Sequence, residues 1–138
     1  MAKKSIRHLD FSTLVMINRE VVSLTGENHE YTGEDERRLK SLVEEVQTVS
    51  NNEEFGEAIL QKTALLVYRI ARGQHFHEGN KRTALVAASA FLQMNGYSLG
   101  IKNMELVSMV DKAGIATATL NDIQQIIRKV VGNEPDRT

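Results

Sequence analysis

Residues 73–81, with the sequence GQHFHEGNK, bring together side chains that bind anions, coordinate metals and exchange protons. Long apolar patterns typical of helices lie on both sides of this segment. His75 and His77 can titrate near neutral pH, and Glu78 is a carboxylate of the kind that holds Mg²⁺. The alternation predicts that Phe76 points into the core and that the two histidines point outward. Exposed histidines without a function are common, so the grouping is more informative than any one residue.

The helical pattern that follows, from about Lys81, predicts an anion site at its start. The first turn of a helix presents unpaired N–H groups and the positive end of the helix dipole, both of which suit phosphate. Gly79 allows close approach of a ligand, and Asn80 can cap the helix or donate to an anion. Lys81 and Arg82 can add charge-assisted hydrogen bonds. The simpler interpretations are a glycine–asparagine turn and a surface ion pair for Glu78.

Composition favours one soluble globular domain. The chain has 138 residues, of which 41% are hydrophobic and 25% charged, with a net charge of -1 and no cysteine. These values imply no disulfide and no direct attraction to nucleic acid. The basic N-terminus lacks the apolar run of a signal peptide, and no stretch is apolar enough to span a membrane, so a cytoplasmic protein is expected. We expect a single domain over 1–138, with its core at about 11–131 and tails at 1–9 and 133–138.

Apolar spacings of three and four residues predict an all-α fold of about six helices. The third helix is apolar nearly all round, which places it at the centre of the domain, with the loop leading from it to a second central helix. The expected helices cover about 11–24, 32–49, 54–72, 81–95, 104–112 and 120–131, and the expected caps are Asp10 or Ser12, Thr32 with Asp35, Asn103, and Thr119 with Asp122.

The string QHFHEGNKRTAL resembles the signature of the Fic/Doc family, H-x-F-x-[D/E]-[G/A]-N-[G/K]-R. The resemblance extends over about 11–131. It implies an all-α fold whose loop binds nucleoside phosphates, and an enzyme that uses a nucleoside triphosphate such as ATP to modify a hydroxyl on a target protein. The positions that match the signature are Phe76, Glu78, Gly79, Asn80, Lys81 and Arg82.

The same resemblance assigns a role to each matched position. Glu78 would hold Mg²⁺, Phe76 would anchor the loop, and the residues from Gly79 to Arg82 would form the anion hole. Lys81 is similar to the Doc branch, which is associated with phosphoryl transfer to a translation factor and with a toxin paired with a Phd-type antitoxin. Phosphoryl transfer and AMPylation both stay open, and Lys81 favours the former. A homodimer is compatible with the resemblance.

The family's catalytic histidine corresponds to Gln74 in this chain. A neutral amide cannot accept a proton near pH 7, and losing a general base removes about 10²- to 10⁴-fold of rate. Three explanations remain open: a natural member without turnover, an engineered variant, or a shifted loop in which His75 acts as the base. The alternatives to an impaired transferase are a non-catalytic nucleotide-binding or interaction module, and a helical domain whose loop is only structural.

A second resemblance concerns SLTGEN, residues 23–28, which is similar to the autoinhibitory motif [S/T]-x-x-x-E-[G/N] of some family members. It implies that Glu27 faces Arg82 and obstructs the phosphate site. The simpler interpretation is a helix end followed by a turn, because Gly26 interrupts the helical pattern.

Overall fold

The protein is an all-α domain of six helices in the part of the chain that the computed structural model describes, which is residues 5–24, 33–76, 79–99, 104–114 and 117–131. No strand occurs within these ranges, so the predicted fold class is confirmed. The helices are α1 (Phe11–Ser23), α2 (Gly33–Thr48), α3 (Phe55–Gly73), α4 (Asn80–Met94), α5 (Met104–Gly114) and α6 (Leu120–Val131).

Two helix starts follow directly from local sequence. Asp10 caps α1, because its Oδ1 accepts a hydrogen bond from the Thr13 N–H at 2.8 Å. At α6 the Thr119 N–H donates to Asp122 Oδ2 at 2.9 Å, and the Asp122 N–H donates to Thr119 Oγ1 at 3.1 Å. This reciprocal pair is the predicted capping box. Of the two candidate caps for α1, the structure therefore uses Asp10.

Several helix ends differ from expectation by one or two residues, because the terminal turns of helices fray. The start of α4 is Asn80 rather than Lys81, and α5 continues to Gly114. The candidate caps Thr32 and Asn103 lie outside the described residues, and so does the side chain of Asp35.

Helix α3 is the centre of the domain, as its apolar pattern predicts. It packs against α2, α4, α5 and α6, while α1 packs against α2 and α4. Small side chains on α4 allow the two central backbones to approach closely. Among the described residues, no helix combines the length and the apolar character needed to cross a membrane. The buried side chains of α3 are Ala58, Ile59, Lys62, Thr63, Ala64, Leu65, Leu66, Val67, Ile70 and Ala71, and those of α4 include Ala84, Ala87 and Ala88.

A buried lysine joins α2 to α3. Lys62 is fully buried, and its Nζ donates to the carbonyl oxygens of Val46 at 2.6 Å and Gln47 at 3.1 Å. Burial lowers the pKa of the Lys62 ammonium. Because the ammonium satisfies carbonyls of the last turn of α2, it holds that helix in place beside α3. Arg38, nearer the start of α2, contacts the C-terminal end of α3.

Candidate anion site at the start of α4

In the connection from α3 to α4, the side chain of Asn80 forms two hydrogen bonds with the backbone of Phe76. Its Oδ1 accepts from the Phe76 N–H at 3.0 Å, and its Nδ2 donates to the Phe76 carbonyl oxygen at 2.8 Å. The Phe76 ring is 1% exposed and belongs to the main core. The Asn80 side chain is therefore occupied by the loop, and this residue can meet a ligand through its backbone N–H.

Gly79 is the residue before α4 and adopts a left-handed conformation, with φ 74° and ψ 20°. A Cβ at this position would lie 3.3 Å from Val21 Cγ1 and 3.2 Å from Val22 Cγ2. Glycine is thus required for two reasons, since larger residues disfavour this φ and α1 leaves little space beside the backbone.

A buried amide on α1 supports this turn. Asn18 is 1% exposed, and its Nδ2 donates to Thr83 Oγ1 on α4 at 3.1 Å. The same nitrogen lies 3.5 Å from the place where a Gly79 Cβ would be. Sequence reasoning missed Asn18, although a polar residue inside the apolar stripe of α1 was a usable signal. Through this contact α1 holds the first turn of α4 in position.

The first turn of α4 offers backbone donors for an anion. The first helical bond joins the Thr83 N–H to the Gly79 carbonyl oxygen at 2.8 Å, so the N–H groups of Asn80, Lys81 and Arg82 precede the helical ladder. Arg82 is exposed, and within the described ranges its guanidinium forms no hydrogen bond or ion pair. These donors and this charge fit a phosphate group.

Lys81 is paired in the structure. Its Nζ lies 3.6 Å from Asp111 Oδ1 on α5, and both side chains are about half exposed. An exposed pair of this kind contributes little energy, about 0–1 kcal/mol, so a phosphate can compete for the lysine.

The remaining motif side chains lie outside the described residues. They are His77 and Glu78, together with Glu27 of the proposed autoinhibitory segment. In the described part of the chain, no group of three or more acidic or histidine side chains is placed to hold a metal ion. Magnesium binding by Glu78 therefore remains a proposal.

Gln74 follows the last residue of α3 and has a left-handed backbone, with φ 55° and ψ 43°. Its carbonyl oxygen accepts a hydrogen bond from Arg38 Nη1 at 3.2 Å, and Arg38 Nη2 donates to the Gly73 carbonyl. The residue is exposed at the head of the loop. Histidine is enriched among non-glycine residues with positive φ, so this backbone accommodates the family's histidine.

The expectation that His75 points outward is wrong. The side chain is 6% exposed, and a Cβ added to Gly73 would overlap its imidazole ring. Alternation between buried and exposed residues requires an extended backbone, and the left-handed turn at Gln74 interrupts it. His75 is therefore packed against the end of α3 rather than exposed at the loop surface.

Two comparisons identify the family. Residues 8–92 match the Fic/DOC family model. Protein kinase doc of Escherichia phage P1 is 27% identical to this chain over 99 residues, which cover 72% of the chain and 77% of that protein. The family match includes α1, α2, α3 and the loop, and it extends through most of α4. Because it covers more than half of the sequence, the chain belongs to the Fic/Doc family.

Proposed function

We propose that the protein is a Fic-type transferase scaffold that binds the phosphates of a nucleoside triphosphate at the start of α4. The observation that carries this proposal is the set of N–H groups of Asn80, Lys81 and Arg82, which precede the helical ladder in a first turn that also carries the exposed Arg82 side chain. Asn80 and Asn18 support it by holding the loop and the first turn in place.

The reaction would transfer a phosphoryl group to a serine, threonine or tyrosine hydroxyl of a target protein. The hydroxyl oxygen forms a bond to the γ-phosphorus, the bond to the bridging oxygen breaks, ADP leaves, and the hydroxyl proton passes to a base. Arg82 and the backbone N–H groups would stabilise the charge on the transferring group. Glu78 would hold Mg²⁺, which neutralises phosphate charge when bound. The name of the phage relative, a protein kinase, favours phosphate over AMP as the transferred group.

Gln74 makes this protein a weak transferase in our proposal. An amide cannot accept the hydroxyl proton near pH 7, so the reaction lacks its base. His75 does not replace it in the described structure, because its ring is buried against Gly73. Nucleotide binding does not need a base and would remain.

The test is to restore the base with Gln74→His and supply γ-³²P ATP, Mg²⁺ and a cell lysate. We expect labelled protein to increase by about 10²- to 10⁴-fold over the unchanged chain. Gln74→Asn is the matched control, because it changes the same position without adding a base. Parallel labelling with α-³²P ATP separates phosphoryl transfer from AMPylation. Equal labelling by the histidine and asparagine variants would contradict the proposal.

The second candidate is a non-catalytic module of the same fold, and the observation that favours it is Gln74 itself. It predicts ATP binding that depends on Arg82 but no transfer after Gln74→His. Absence of ATP binding in calorimetry would contradict both candidates and favour a structural loop.

For the first candidate, the proposed setting is cytoplasmic, with a translation factor as target and a Phd-type antitoxin as partner.

A further inference from the structure

A second basic feature lies at the other end of the loop, where α3 ends. It is an open cleft of about 420 Å³ between α2 and the last turn of α3, which we call the arginine cleft. Its volume falls within the range of small-molecule sites, about 300–1,000 Å³. Of the residues that line it, only His75 lies within the segment QHFHEGNKRTAL. The lining residues are Arg38, Tyr68, Arg69, Arg72, Gly73 and His75.

Tyr68 holds two of the arginines in place. Arg72 Nη1 donates to the Tyr68 hydroxyl oxygen at 2.7 Å, and the Arg72 guanidinium carbon lies 5.7 Å from the centre of the ring. The Arg69 guanidinium carbon lies 5.8 Å from the same ring. Contacts between a guanidinium and an aromatic face are attractive and restrict the rotamers of long side chains. The basic groups are therefore ordered before any ligand arrives.

The charge in the cleft is only partly compensated. Glu45 binds Arg69 with both oxygens, at 3.1 Å to Nε and 3.0 Å to Nη2. Arg38 and Arg72 have no acidic partner among the residues that the structure describes. In a chain with a net charge of -1, this leaves a local excess of positive charge facing an open volume.

Arg38 also removes the main obstacle to an anion at this place. The C-terminal end of a helix is negative, because its last carbonyl groups lack helical partners. Arg38 donates to the carbonyl oxygens of Gly73 and Gln74 and so covers this end of α3. Arg72, whose bond in the described structure is to a neutral hydroxyl, retains most of its donors for a ligand.

We propose that the arginine cleft is a second anion site, which binds a phosphate monoester separately from the start of α4. Planar guanidinium groups match the oxygens of phosphate, and Arg72 is the principal ligand, with Arg38 and Arg69 supplying additional charge. The phosphate can come from a nucleotide or from a phosphorylated side chain. None of the residues from Gly79 to Arg82, which carry the nucleotide proposal, lines this cleft.

The test is a titration of ¹⁵N-labelled protein with inorganic phosphate at constant ionic strength, followed by NMR. We expect shifts for the backbone amides of 68–75 and the Arg72 side-chain Nε–H. Arg72→Gln should weaken this binding at least tenfold. The matched control is Arg128→Gln, which removes the same charge on α6, where Arg128 binds Glu57. It should leave phosphate affinity in the cleft within about twofold.

Arg82→Gln separates this proposal from the proposed function. Phosphate shifts at 68–75 that persist in Arg82→Gln support a cleft independent of α4, even if no ATP binds at α4. Shifts confined to 79–83, or equal losses in Arg72→Gln and Arg128→Gln, would overturn the cleft site while leaving nucleotide binding at α4 intact.

Two competitors then identify the source of the phosphate. Displacement of inorganic phosphate from the cleft by AMP, but not by a phosphoserine peptide, assigns the site to a nucleotide. The opposite result assigns it to a phosphorylated side chain. If neither competitor displaces phosphate at tenfold excess, the cleft is not a phosphate monoester site and the proposal fails.

Discussion

The two ends of the loop offer positive charge in different ways. At the start of α4, the positive charge comes from backbone N–H groups, from the favourable end of a helix dipole and from the single guanidinium of Arg82. At the end of α3, the dipole is unfavourable, and the positive field comes from side chains of two helices. A backbone site of the first kind depends on loop geometry, whereas the arginine cleft depends on how α2 and α3 are packed.

This difference predicts different sensitivity to mutation. Backbone donors cannot be removed by changing their own side chains, so this part of the proposed α4 site is tested through Gly79 and Asn18, which shape it. The arginine cleft can be changed one charge at a time.

Removal of the Arg82 guanidinium should have the largest effect. In the Gln74→His background, Arg82→Gln should reduce the transfer rate by about 10²- to 10³-fold, because a charged donor to the reacting phosphate is lost. Labelling rates measure the effect, and circular dichroism checks the fold. Arg128→Gln is the control for general loss of charge. If that control loses as much activity, charge alone matters and the α4 site has no special role.

A methyl group at Gly79 should destabilise the protein and disturb the α4 site. The left-handed backbone and the contacts with Val21 and Val22 predict a loss of about 1–2 kcal/mol for Gly79→Ala. Gly56→Ala is the matched change in the helical backbone of α3. Its Cβ meets the Tyr97 hydroxyl oxygen, at the end of a side chain that can move, at 3.0 Å, so we expect a smaller loss. Urea unfolding of both variants measures the difference, and equal losses would contradict the contrast.

The bond between Asn18 and Thr83 should contribute about 1 kcal/mol of coupling energy. A double-mutant cycle with Asn18→Ala and Thr83→Ala isolates this term from the other contacts of each residue. The same variants should raise the KM for ATP in the Gln74→His background, because the first turn of α4 is less well held. A coupling near zero, with unchanged KM, would show that α1 does not position the site.

The smallest effect concerns an ion pair remote from both regions. Hydrogen bonds from Arg128, and then from Gln61, lower the pKa of Glu57 from 4.5 to about 2. The unfolded chain therefore binds this proton at higher pH than the folded chain, and the contribution of Glu57 is lost as pH falls from about 4.5 towards 2. Because the pair is partly exposed, the loss should be less than about 1 kcal/mol.

Stability curves of the unchanged chain and Glu57→Gln measure this contribution by difference. The curves should lie apart above pH 4.5 and converge towards pH 2. A constant separation across this window would contradict the assignment. Arg128→Gln is a suitable control for the cleft because Arg128 pairs with Glu57 and neither residue lines the cleft.

Local sequence was sufficient for the helices and for the capping box of α6. Apolar periods identified six helices, and the all-round apolar character of α3 identified the central one. These features are short-range, because caps and helical faces depend on residues a few positions apart. The motif also located the loop, its glycine and the family.

Tertiary structure decided how the loop is held and what lies beside it. Asn18 meets Thr83 although 65 positions separate them, and Arg38 covers the end of α3 from 35 positions away. His75 is buried because the left-handed turn at Gln74 redirects it. Contacts of this kind depend on how whole helices cross and pack, which no local pattern encodes. The sequence by itself therefore determined the helices and the family. Only the packing of α1 and α2 decided how the proposed anion site at α4 is supported and whether the arginine cleft forms.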